Sequence, residues 1–227
     1  MKKKLTFYSE AAYAAGIVLL ALGTALMEQA DFGLSMVVAP AYLLHLKISQ
    51  VVPLFSFGMA EYTLQAVIIV VLSAVLGKFK PAYLFSFVTA VAYGFTLDGF
   101  MALVAVLPPA GMASMIVRYI LGFVLCAMGV AFLFHTYIPP EAYELFVKEV
   151  SAKLGKDISV VKTIYDCGSC LVAIGLSFAF FGLWHFEGVK LGTVICAFLN
   201  GFLIGQWGKL FESVFDFKDA LPLRAKM

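Results

Sequence analysis

Six long apolar runs fall into two copies of one three-run pattern, and this pattern limits the chain more than any other feature. A helix needs about 20 apolar residues to cross a hydrocarbon core. The runs are residues 9–27, 57–76, 82–107, 115–134, 160–183 and 189–211. With 63% hydrophobic and 13% charged residues, a water-soluble globule is excluded. The lipid bilayer is the first expected partner.

The repeat is visible by eye. When residues 12–27 are set over residues 118–133, Tyr13/Tyr119, Gly16/Gly122, Val18/Val124, Leu19/Leu125, Ala21/Ala127, Gly23/Gly129 and Ala25/Ala131 coincide. Farther along, Ala41-Tyr42 falls opposite Ala142-Tyr143, Glu61 opposite Asp166, and Gly94-Phe95 opposite Gly201-Phe202. Three spans per copy is an odd number, so the second copy enters the membrane upside down, a construction found in many transporters. The expected fold is therefore an all-α polytopic membrane protein filling residues 1–227 as one domain. Its six transmembrane helices form two inverted repeats, residues 9–107 and 115–212. Each repeat carries an interfacial or re-entrant helix after its first span.

Charge placement sets the expected orientation. Of the 16 basic residues, all but Lys47, Arg118 and Lys190 fall on the side of the N-terminus. The excess of Lys and Arg on cytoplasmic segments then puts both termini inside the bacterial cytoplasmic membrane. The net charge of +2 comes from these topology markers, and no nucleic-acid partner is expected.

Residues 139–155 read as an amphipathic helix opened by Pro139-Pro140 and closed by Gly155. Tyr143, Phe146, Val147, Val150 and Leu154 share one face. Glu144/Lys148 and Glu149/Lys153 are expected to pair at i,i+4 on the other, with the helix lying in the cytoplasmic interface. Its mate, residues 40–49, is more apolar and can dip into the bundle. Both segments are candidate gates.

Polar groups inside spans are costly and mark function by default. Glu61, with Gln65 one turn later, lies in span two, and Asp166 in span five. Their equivalence in the repeat places one toward each mouth of an alternating-access pathway. Each also has a plain structural role available: Glu61 near a helix N-terminus, Asp166 four residues after Lys162. Arg118, near the outer end of span four, can snorkel to the interface or pair with Asp98 across the bundle. Asn200 sits near the middle of span six, and Gly192-Thr193 can open that helix at membrane depth, offering backbone N–H groups to a ligand. These eight residues form the expected substrate- or ion-binding set. Cys167 and Cys170 form a C-x-x-C without a second pair to complete a zinc site, and read as packing residues. His45, His135 and His185 form no ligand cluster by spacing. No metal, cofactor or enzymatic chemistry is expected.

Ala30-Asp31-Phe32-Gly33-Leu34-Ser35, the stretch 137–155, Asp166, and Gly192-Thr193-Val194-Ile195 with Gly201 carry a resemblance. Over about residues 8–212 the chain resembles the YitT/YczE group of uncharacterised bacterial membrane proteins. Members of that group often carry a fuller glycine run before the last-span Thr, where Lys190-Leu191 stand here. The resemblance implies fold and membrane location but no settled activity. Three function classes remain open: a small secondary transporter or channel for a small solute, anionic or proton-coupled; a non-transporting scaffold or regulator; and a substrate-binding subunit of an energy-coupling-factor importer. A homodimer is among the assemblies open to such a bundle.

Overall fold

The computed structural model describes residues 4–108, 111–156, 158–183 and 186–221. His185 lies outside them. In chain order the elements are β1 (Leu5–Tyr8), α1 (Ser9–Ala30), α2 (Ala39–Ile48), α3 (Phe57–Leu76), α4 (Ala82–Ala105), α5 (Met112–Phe134), α6 (Ala142–Leu154), α7 (Ile158–Phe181), α8 (Leu191–Val214) and β2 (Phe215–Lys218). The six longest helices are each long and apolar enough to cross a membrane. Their outer faces carry large apolar side chains such as Val70, Leu171 and Phe198, each about 70% exposed. A surface of that kind is stable only against lipid. The chain is a multi-pass membrane protein.

Local signals explain where the helices stop. Ser56 caps α3 by accepting from the Met59 N–H at 3.0 Å. Gly77 and Gly155, at φ of 68° and 60°, end α3 and α6 in the left-handed conformation that favours glycine. Pro139-Pro140 keep the chain extended ahead of α6.

The centre of the bundle is the crossing of α1 and α5, whose span windows are each 56% buried, against 17% for α7. Glycines allow the close approach. A Cβ on Gly23 would lie 2.6 Å from the Gly122 carbonyl, and one on Gly122 the same distance from that of Gly23. Gly16 and Gly129 meet in the same reciprocal way. Around this pair α4 packs on α1 and α8 on α5, while α3 packs on α4 and α7 on α8. The two shorter helices bridge the halves, since α2 touches α3 and α7, and α6 touches α7 and α3.

Two findings depart from the sequence expectation. The fold is not purely helical: β1 and β2 pair in parallel, Leu5 opposite Phe215, and join the two ends of the bundle. Ser9 donates to Asp219 at 2.8 Å, and Glu10 accepts from the Tyr137 hydroxyl and the Ala220 and Leu221 N–H groups. Four-residue strands are too short to give a periodic signal. The i,i+4 pairs expected on α6 also do not form, because both carboxylates reach other segments, the α3–α4 connection and α7. Glu149 binds Lys80, while Glu144 is buried against Lys162 on α7. For Glu144 the reason is clear, since a buried lysine that needs a counter-charge outbids a solvated one a turn away.

Candidate functional site: a buried carboxylate cluster

The first turn of α6 carries Glu141, Tyr143 and Glu144 into the bundle. The Ser86 hydroxyl donates to the Pro140 carbonyl at 2.6 Å, and Thr89 to that of Pro139 at 2.9 Å, which fixes the approach along α4. The Ala142 N–H, one of the unpaired donors of a helix start, is met by Gln65 Oε1 at 3.0 Å. Tyr143 then donates its hydroxyl to Glu61 Oε2 at 2.9 Å.

Glu61, Glu141, Glu144 and Asp166 are all buried, with 0 to 6% of each residue exposed. Among the described residues one cation touches the group, Lys162, whose Nζ lies 3.1 Å from Asp166 and 3.4 Å from Glu144. Glu61 also accepts from Gln65 Nε2 at 3.4 Å. Yet Glu61 Oε1 and Glu141 Oε1 are buried with no hydrogen-bond partner among the described residues. Unpaired buried carboxylate oxygens are expensive. Burial holds the Glu141 carboxyl well above the usual carboxylate range, and the nearby charges of Glu144 and Glu61 add to the effect.

Two spaces adjoin the cluster. A groove of about 480 Å³ between α5, α6, α7 and α8 runs from His135, Lys209 and Glu212 to Lys162 and Glu144. His135 Nε2 and Glu212 Oε1 stand 3.5 Å apart at its mouth. On the other side of Glu144 is a cavity of about 20 Å³ lined by Thr24, Ser35, Tyr93, Glu141 and Asn200 among others. Tyr93 donates to Thr24 there at 2.9 Å.

Of the eight residues expected from sequence, Glu61, Gln65, Asp166 and Asn200 are brought to this region. Glu61 and Asp166 do not face separate mouths but meet the same turn of α6. The other four lie elsewhere. Asp98 accepts from Ser56 Oγ at 2.6 Å and the Gly58 N–H at 2.8 Å, so it anchors the start of α3. Arg118 binds Gln29 Oε1 at 2.7 Å and the Pro108 carbonyl at 3.0 Å, and the Asp98–Arg118 pair is not formed. Each has a nearer partner that completes a helix end. The Gly192 N–H is taken by the Phe32 carbonyl at 2.9 Å, and Thr193 packs against Gly33, whose φ of 103° a side chain rarely adopts. That pair seals α8 against the 31–34 loop rather than offering free donors. Cys167 is exposed and Cys170 half-buried, both as free thiols.

Sequence reading missed Glu141 and Glu144. Glu144 stands three residues before Val147, which is buried with it, but its i,i+4 spacing to Lys148 reads as a solvated pair. Glu141, following two prolines, has the look of an ordinary helix cap.

No curated protein and no solved structure matches the chain. The match to a family of unknown function (DUF6198) extends over residues 7–209, and the chain belongs to that family.

Proposed function

We propose that the protein is a small secondary transporter of the bacterial cytoplasmic membrane, with both termini cytoplasmic, that couples movement of a small solute to protons or cations at the carboxylate cluster. The observation that carries this reading is made among the described residues: four buried carboxylates, with one lysine in contact with two of them and Glu61 Oε1 and Glu141 Oε1 left without a partner. A scaffold has no use for so costly an arrangement, whereas a site that alternately takes up and releases positive charge requires it.

The inverted repeat supports the same reading. Gly16 and Gly23 correspond by sequence to Gly122 and Gly129, and each glycine packs on the mate of the other. Reciprocal contact of this kind is the mark of a two-fold axis. The helix contacts follow the same exchange, α2–α3 with α6–α7 and α2–α7 with α6–α3. On this reading α2 and α6 are re-entrant from opposite sides, and the resemblance to the YitT/YczE group extends to a shared bundle. The groove past His135 and Glu212 is the cytoplasmic access route. An importer subunit dependent on an ATPase has no need of such internal symmetry.

The test is purified protein in liposomes loaded with a pH-sensitive dye, without ATP, under an imposed pH gradient. Protein-dependent proton movement is expected, and Glu61→Gln and Asp166→Asn are each expected to slow it at least about tenfold while remaining folded. No movement with the parent, or equal movement by parent and both variants at every pH, overturns the proposal.

A further inference from the structure

The small cavity beside Glu141 differs from the groove in size and chemistry. At about 20 Å³ it holds one water-sized occupant. Six of its eleven lining residues carry a side-chain oxygen, namely Glu141, Glu144, Asn200, Thr24, Ser35 and Tyr93, and the other five are aliphatic side chains and Cys126. Tyr93 spends its proton on Thr24, which leaves its oxygen lone pairs free. The side chain of Asn200, a residue 8% exposed within α8, has no hydrogen bond among the described residues. Glu141 Oε1 is buried and unpartnered.

Charge selects the occupant further. Glu144 shares Lys162 with Asp166, whereas Glu141 has no cation in contact among the described residues. Four buried carboxylates against one lysine leave an excess of negative charge, and Glu141 lines the cavity with an unpartnered oxygen where a positive charge can sit. Hard oxygen donors favour an alkali cation over a transition metal, and no group of three His, Cys, Asp or Glu side chains converges as a metal site among the described residues.

We infer that this cavity binds a single dehydrated monovalent cation of sodium size, held by Glu141, Asn200, Thr24 and Tyr93. The inference rests on the transport reading for its purpose but not for its measurement. Proton and cation compete for Glu141, so binding weakens as pH falls. The titratable and charged groups that face Glu141 are Tyr13 on α1, Glu61 on α3, Tyr93 on α4, Cys126 on α5, Tyr143 and Glu144 on α6 and Lys162 on α7.

The experiment is thermal unfolding of the purified full chain in detergent, titrated with NaCl, KCl or choline chloride at constant ionic strength and pH 7.5. Sodium is expected to raise the midpoint in a saturable way, potassium less and choline not at all. Asn200→Ala is expected to shift the half-saturating sodium concentration upward at least about tenfold, and Glu141→Gln to abolish the response. A parent with no sodium response overturns the inference even where liposomes show proton movement. An undiminished response in both variants overturns it as well. A sodium response without ion movement in liposomes supports the cavity and removes the transport reading instead.

Discussion

Glu141 shows how a single side chain sets a pH dependence. Its carboxyl is raised in the folded protein, from an ordinary value near 4.5, by burial first and by Glu144 and Glu61 after. A raised carboxyl favours the folded state fully below that ordinary value, and the benefit is lost as pH climbs through the folded one. In sodium-free buffer the parent should therefore lose stability between pH 5 and pH 8. Glu141→Gln should flatten that slope and raise the midpoint at pH 8 by roughly 2–4 °C for each kcal/mol recovered. A variant with the parent's slope would place the penalty on other groups. Glu61 and Asp166 were legible in the sequence because charge inside an apolar run stands out. Glu141 and Glu144 were not, because charge on a segment with amphipathic spacing looks like a solvated face until its neighbours are known.

Among the elements, the α1–α5 crossing was the most legible, since its glycines repeat at matching positions in both copies. Its tightness gives a prediction. A methyl on Gly23 would sit 2.6 Å from the Gly122 carbonyl and 2.7 Å from Cys126 Sγ, with backbone on one side and a packed core on the other. Gly23→Ala should cost about 1–3 kcal/mol. The measurement is the thermal midpoint in detergent, and an unchanged midpoint would mean the two helices can separate freely. By contrast, α6 was found as a helix but assigned to the interface. Its periodicity was right, yet the hydrogen bonds from Ala142 to Gln65 and from Tyr143 to Glu61 that draw its first turn inward join residues 77 and 82 positions apart. No local pattern carries that information.

For the whole molecule, the count and limits of the spans agree with the sequence reading to within a few residues, because hydrophobic length is a strong and local signal. Orientation is an expectation from charge and has a direct check. With the exposed native thiol removed by Cys167→Ser, Leu54→Cys and Lys78→Cys place one thiol beyond each end of α3. A membrane-impermeant maleimide on intact cells should label the first and reach the second only after permeabilisation. The reverse pattern would invert the protein, and labelling of both from outside would break the six-span topology.

The pairing of Leu5–Tyr8 with Phe215–Lys218 has a consequence for how the chain is made. The first strand is synthesised about 210 residues before its partner, as the Ser9–Asp219 separation shows. At about 5–20 residues per second, the leading strand waits roughly 10–40 s with its edge unpaired. During that interval the helices that precede α8 insert one after another with nothing joining their two ends. The two strands can pair only after every helix between them has been made, so closure of the ring is the last step in building this bundle.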